Sequence, residues 1–473
     1  MKVVIIGNGI AGVTCARHLR KLSDAAEITV VSGETDHHYS RPALMYLYMG
    51  HMRWPDLKPY EDWFWDKNRI RLRRAWVTGV DFGTRTLTFG TGETLAYDRL
   101  VLALGSVTSY YNWPGQDLDG VHGMVTVDDV EAMERHSERG IDRAVIVGGG
   151  LIGVEMAECF HTRQIPVTFL VRERSYWNRV LPPEESAMVG AHISSKHGVD
   201  LRLGEELSEI WGDGRGGVRA VALKGGEKVV CGFVGITAGV RPNVEWLAGT
   251  GLDVDRGVRV DGLLRTNQPD VFAVGDCAQL RDPRPGRRPI EAIWYTGRMM
   301  GEVAAHNVLG GAVEYDPGIF FNSAKFFDLE YQIYGDVPAE LPADRRWFYW
   351  RHPTEEKALR LYWHAEERYV TGFHLMGLRY RHEVCEAWIR SMTPIEEVVA
   401  HLGLANFDPE LYREHEPAIV AAFNAQEGTS VKLQTRRGLP AVQRFLRRIR
   451  KIHPALAPRR ESTTPSYYEQ DQD

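Results

Sequence analysis

Two short apolar runs, each followed by a glycine turn and a helical stretch, organise the first part of the chain. Val3 to Ile6 reads as a buried β-branched strand, Gly7-x-Gly9-x-x-Gly12 interrupts it, and Val13 to Leu22 carries helical spacing with small residues near its start. Ala144 to Val147, Gly148-x-Gly150-x-x-Gly153 and a helix from Val154 onward repeat that order. Each copy leads into a further strand, "EITVVSGE" at Glu27 to Glu34 and "VTFLV" at Val167 to Val171. After Leu309 the pattern changes. "YDPGIFFNSAKFFDLEYQIYGDV", "RRWFYWRH", "ALRLYWHA" and "YVTGFHLMG" are rich in aromatic and β-branched residues and predict antiparallel strands separated by charged turns. Amphipathic helices are expected near His382 to Ser391 and Pro394 to His401. Thr435 to Arg460 holds nine arginines and lysines and no acid, with Val442, Phe445, Leu446, Ile449 and Ile452 on one helical face. The polar stretch beyond it reads as disordered.

Length adds a domain count: 473 residues suggest about three domains of roughly 150 residues each. Hydrophobic content of 44% and charged content of 25% are ordinary for a soluble protein, and no apolar run approaches the ~20 residues of a membrane span. Apolar residues begin at Val3 and run straight into the glycine turn, without the form of a secretory signal, so a cytoplasmic protein is expected. Cys15, Cys159, Cys231, Cys277 and Cys385 form no close pair, which argues against a disulfide framework, a zinc site or an iron-sulfur cluster. No metal site is expected, and redox chemistry would need a bound cofactor. A net charge of −6 gives no reason to expect nucleic acid.

The glycine turns suit a dinucleotide. The first glycine permits a tight turn, the second lets backbone approach a pyrophosphate, and the third lets helix pack on strand, with the diphosphate at the positive helix end. Glu34 ends the strand after the first turn and suits a ribose hydroxyl pair, although its spacing of 27 residues from Gly7 exceeds the usual roughly 20. One copy kept only for packing is the alternative, but both retain all three glycines. Two adjacent dinucleotides suggest hydride transfer from a nicotinamide to a flavin. "TNQPDVFAVGDCAQL" then places Gly275 and Asp276 after an apolar strand, where Asp276 suits a ribityl hydroxyl or, read alone, a solvated cap.

Together with "YDRLVLALGS" at Tyr97 to Ser106 and "TAGVRPN" at Thr237 to Asn243, these motifs resemble the FAD-dependent pyridine nucleotide oxidoreductases, in particular the ferredoxin and rubredoxin reductase branch. The resemblance covers about Met1 to Leu309. It implies an α/β protein with two Rossmann-like dinucleotide-binding domains, for FAD and NAD(P), and a C-terminal α+β interface domain. The expected boundaries are 1–112 with 250–315 for a split FAD domain, 113–249 for the NAD(P) domain, 316–434 for the interface domain and 435–473 for the basic helix and tail. By the same resemblance FAD is held by Gly7, Gly9, Ala11, Gly12, Glu34, Arg41, Pro42, Val77, Ala103, Gly105, Ser106, Gly275, Asp276, Glu291, Trp294 and Thr296. The coenzyme falls to Gly148, Gly150, Ile152, Gly153, Glu155 and Gly239. Trp294 is placed beside the flavin, where it shields the ring or is an ordinary core aromatic.

Departures from the family pattern sharpen the expectation. Tyr46 stands where the ferredoxin reductases have a lysine near the flavin, and no cysteine lies between His38 and Met52, so neither a redox disulfide nor a reactive thiol is available there. Electrons should therefore pass from flavin to acceptor directly, with no side chain as nucleophile. Val171 stands where NADH-using members place an acid, and Arg172, Arg174 and Arg179 follow it. Guanidinium groups suit a 2′-phosphate, so NADPH is favoured over NADH, against the repulsion of Glu173 and the alternative of a solvated charged turn. A ferredoxin or rubredoxin is the expected acceptor. A quinone reductase or oxidase and a redox-sensing flavoprotein are the other readings. The interface domain suggests a homodimer, and the basic helix suits an acidic partner, a peripheral site on the inner membrane face, or the protein's own acidic surface. His364, His374 and His382 show no ligand spacing and read as satisfied histidines.

Overall fold

Lys2–Ile6 is the middle strand of a five-stranded parallel sheet ordered Val271–Ala273, Arg99–Leu102, Lys2–Ile6, Glu27–Ser32 and Ile70–Arg74. Val3, Ile5, Val31 and Val101 are fully buried, and burial on both faces is why these strands read as unbroken apolar runs. The helix Ile10–Leu22 packs closely on the helix Trp294–Val308 because Gly301 has no side chain: a Cβ there would meet the Ala11 carbonyl oxygen at 2.3 Å. A second five-stranded parallel sheet runs Asp200–Leu203, Val167–Val171, Ala144–Val147, Phe233–Ile236 and Val121–His122.

The duplication extends beyond the glycine turns. Counted from the strand before its glycine turn, each sheet has the first strand flanked by the second on one side and the fourth on the other, which makes a topological switch point beside each glycine turn. Between third and fourth strands each copy carries a three-stranded antiparallel flap, Val77–Asp81, Thr86–Phe89 and Thr94–Ala96 in one, Leu207–Gly212, Val218–Leu223 and Lys228–Val230 in the other. Between the copies, the helix Val127–Glu138 starts on a capping box in which Thr126 Oγ1 accepts from Asp129 N at 3.2 Å and Asp129 Oδ2 accepts from Thr126 N at 3.0 Å.

This computed structural model describes residues 1–407 and 413–434, so the basic helix expected over 435–460 and the tail after it lie outside the described residues. Among the described residues no helix is long and apolar enough to cross a membrane. The chain forms two compact units, Met1–Arg179 with Ser186–Gly318, and Val180–Glu185 with the chain from Ile319.

The second unit is built on a five-stranded antiparallel sheet ordered Phe321–Phe326, Leu329–Gly335, Val370–Met376, Ala358–His364 and Arg345–Arg351. Val370–Met376 is buried along its whole length, whereas Arg345–Arg351 at the sheet edge alternates. Helices His382–Arg390 and Ile395–Ala400 occupy the expected places, and a third, Glu416–Glu427, ends on Gly428 in the left-handed region (φ 67°). Its core includes an ion cluster. Arg360, 3% exposed, donates to both oxygens of Glu185 at 2.8 Å and to Glu184 at 2.5 Å, and its guanidinium lies over the rings of Trp347 and Tyr349. His374 Nδ1 is 3.3 Å from Glu185, whose carboxyl burial alone would raise; bonds from His374 and Arg360 outweigh burial and hold it at about 2. Arg360→Ala would strand a buried carboxylate, so a loss of about 3–5 kcal/mol is expected in urea denaturation; a loss below about 1 kcal/mol would mean that the cluster is not stabilising.

Candidate functional site

Each glycine turn is shaped by two positions with no room for a side chain. Gly7 has φ +113°, and a Cβ on it would lie 2.0 Å from the Ala103 carbonyl oxygen of the fourth strand's end; on Gly12 it would lie 2.1 Å from the Gly7 carbonyl oxygen. The second copy repeats this: Gly148 has φ +119° and would meet the Thr237–Ala238 peptide at 2.5 Å, and Gly153 would meet the Gly148 oxygen at 2.2 Å. Thr237 Oγ1 donates within this turn, lying 3.0 Å from both the Val147 and Gly148 oxygens. The middle glycines differ in kind. Gly9 and Gly150 face open space, and each is the N-cap of its helix without a side-chain cap. The first-turn N–H groups of Ile10–Leu22 and Leu151–Thr162 are therefore left for an anion, and both turns fit a dinucleotide pyrophosphate.

Around the first turn the structure gathers Ala11, Gly105, Ser106, Gly275 and Asp276. Gly275 has φ +72° and packs on Ala11, while Gly105 has φ +66°. Asp276 is half-buried and accepts from Ser106 Oγ at 2.9 Å; burial pushes its carboxyl up, against the Ser106 bond and the charge of Arg41. Cys277, beside it, is buried, and burial pushes its thiol to about 12, which makes it inert. All five cysteines are buried and none forms a disulfide.

Glu34 and Arg41 meet each other. The Glu34 carboxylate accepts from Arg41 through both oxygens, from Tyr39 Oη and, at 3.1 Å, from Val127 N. Burial favours the neutral form, but the charge of Arg41 and these bonds hold the Glu34 carboxyl below its usual range. Arg41 also donates to Val125 O at 2.8 Å, so the pair ties the first copy to the segment that opens the second. Glu291 and Thr296 likewise serve local structure: Glu291 takes Arg287 in two 2.6 Å bonds, and Thr296 Oγ1 donates to the carbonyls of Glu291 and Ile293 at 3.1 and 2.9 Å. They fix the approach to the Trp294–Val308 helix, on which Trp294 is half-exposed. Tyr46 stacks on His51, Val77 opens the first flap, and Pro42 is exposed.

Around the second turn, Ile152 and Glu155 are half-buried on the glycine helix, and Gly239 has φ +124°. Val171 is fully buried, with Cγ1 where it would lie 2.8 Å from a Cβ on Gly149. Arg172 and Arg179 flank Glu173 at 3.0 and 3.7 Å, and Arg174 is exposed. Glu173 is thus offset by two cations.

Several residues escape sequence reasoning. Trp76 is 65% exposed, yet its ring lies so close to Gly33, at the end of the second strand, that a Cβ there would come within 2.3 Å. Tyr111 Oη donates to Ala238 O at 3.0 Å beside the second turn. Asn8 donates to Thr35, and His38 Nδ1 is 2.7 Å from Asn8 O; burial pushes His38 to about 4, so its neutral ring donates and fastens the following loop to the glycine turn.

The family model for pyridine nucleotide-disulphide oxidoreductases matches residues 1–301. The chain belongs to that family. As a pyridine nucleotide-disulphide oxidoreductase family member it is an FAD- and pyridine-nucleotide-dependent oxidoreductase, with mixed α/β architecture. It is 30% identical over 339 residues to an NADH oxidase of Methanocaldococcus jannaschii, covering 70% of this chain and 75% of that one. It is 33% identical over 306 residues to the chlorobenzene dioxygenase ferredoxin reductase component of a Cupriavidus species, covering 64% and 73%. Among solved structures, a ferredoxin reductase from Rhodopseudomonas palustris aligns with a TM-score of 0.71 at 26% identity, over 80% of this chain and 91% of that one. Despite the family's name, the buried cysteines here offer no disulphide.

The two copies can be separated experimentally. Gly12→Ala is expected to yield protein without flavin, whereas Gly153→Ala retains flavin absorbance and weakens nicotinamide coenzyme at least about tenfold. Flavin retained at full occupancy in Gly12→Ala would contradict this assignment.

Proposed function

We propose that the first glycine turn holds FAD, the second holds the nicotinamide coenzyme, and the reduced protein passes electrons to a small ferredoxin- or rubredoxin-type protein. The observation that carries this reading is the repeated turn with an open middle glycine and an uncapped helix N-terminus in both copies. When bound, flavin and nicotinamide supply the hydride and electron chemistry. The chain binds and orients them: Asp276, steadied by Ser106, faces the ribityl chain, Trp76 offers a flat face to the adenine, and Ile152, Glu155 and Gly239 border the coenzyme. Glu34 and Arg41 hold the two halves in register rather than gripping a ribose.

NADPH is the preferred coenzyme in this proposal. It is supported by Val171 in place of an acid and by Arg172 and Arg174 beside a Glu173 that two arginines offset. A protein acceptor is supported by the ferredoxin reductase component among the relatives and by the lack of an accessible thiol. The archaeal NADH oxidase relative favours an oxidase as the second reading. Quinone as acceptor, a homodimer and a lipid or acidic-protein contact at 435–460 rest on the sequence pattern alone.

Two variants test the sites. Asp276→Ala is expected to lower flavin occupancy in the purified protein. Arg172→Ala should raise KM for NADPH by about tenfold, the loss of one charge-assisted phosphate contact, and leave that for NADH unchanged. Equal loss with both coenzymes would overturn the coenzyme preference.

A further inference from the structure

The outer edge of the second sheet carries three metal-ligating side chains that neither glycine turn uses. Asp119 precedes Gly120, His122 lies on the edge strand Val121–His122, and His136 lies near the end of the helix Val127–Glu138. Each offers a ligand atom, and these atoms lie within 4.8 Å of one another. We propose that Asp119, His122 and His136 form a binding site for a divalent cation of the zinc class.

The chemistry selects that class. Two imidazoles and one carboxylate suit a borderline cation, whereas magnesium and calcium prefer oxygen ligands alone. Ligand bonds of about 2.0–2.2 Å place tetrahedral ligand atoms roughly 3.4 Å apart. His136 Nε2 and Asp119 Oδ1 are already 3.1 Å apart, so only His122 has to close in, by a side-chain movement.

Three surroundings favour the site. His122 Nε2 is buried and has no hydrogen-bond partner among the described residues, an unfavourable state that a metal bond removes. Both imidazoles pack on the Phe233 ring, at 5.9 and 5.8 Å between centroids, which gives the site an apolar floor and fixes the ring planes. Arg139 donates to Asp119 Oδ2 at 3.3 Å, leaving Oδ1 for the cation and orienting the carboxylate from outside. Gly120, at φ +98°, turns the chain between two ligands, and a Cβ on it would approach His136 Cε1 at 3.4 Å. Asp119 is exposed, which provides entry and a water for the fourth position.

Arg135 and Arg139 oppose a cation, while Asp119 and Asp129 favour it. The site clips the edge strand to the helix whose first residue, Val127, meets Glu34, and so braces the joint between the two copies. The sequence conceals it because the ligands are spaced irregularly and include no cysteine.

The test is a Zn²⁺ titration of the chelator-treated full-length holoprotein against a competing chromophoric chelator, alongside Asp119→Asn and His122→Gln. One Zn²⁺ per chain is expected in the parent, with binding at least about tenfold weaker in each variant and a Zn²⁺-dependent rise in melting temperature confined to the parent. Asp119 is exposed, so its variant preserves the test if His122→Gln fails to fold. No stoichiometric binding in the parent, or binding unchanged by Asp119→Asn and so an adventitious ion only, overturns the proposal.

Discussion

A missing side chain fixes each half of the first unit. Gly7 lies against the Ala103 carbonyl and Gly148 against the Thr237–Ala238 peptide, at separations that no Cβ tolerates. These approaches bring the end of the first strand onto the end of the fourth, aim the following helix at the crevice and leave its first amides free of a side-chain cap. The flaps, the Gly275–Asp276 turn and the Trp294–Val308 helix are arranged about that geometry. The same constraint solved twice gives one chain two dinucleotide cradles.

What joins the copies is polar and packed. The Glu34–Arg41 pair reaches Val125 and Val127, while Arg163 bonds Tyr48 O at 3.1 Å, covers the Tyr48 ring and pairs with Glu134. Tyr48 Oη is 2.6 Å from Ser137 Oγ. Glu34 is 11% exposed at its side chain, so breaking its pair would leave a nearly buried charge. An oxidoreductase that moves hydride between two bound groups depends on such a fixed relation, because transfer demands close contact of the reacting atoms.

The legible parts of the sequence were those with a local physical signature. Glycine turns after β-branched runs announced both cradles, and aromatic and β-branched runs between charged turns announced the antiparallel sheet of the second unit. Glu34 was legible only as an acid at a strand end, because its partners lie seven residues on at Arg41 and far along the chain at Val127. Glu184 and Glu185 look like the acids of a helix's first turn, yet Val180–Glu185 joins the second unit through Arg360. Trp76 could not be assigned because its contact with Gly33 exists only once strand and flap are folded together. Non-local pairs of this kind leave no period in the sequence.

The central claim is that both cradles work together, and an anaerobic titration with NADPH and with NADH, following the flavin absorbance band, tests it most directly. The account predicts rapid bleaching by a stoichiometric amount of coenzyme, with NADPH the more effective of the two. FAD-loaded protein that neither coenzyme bleaches would contradict it.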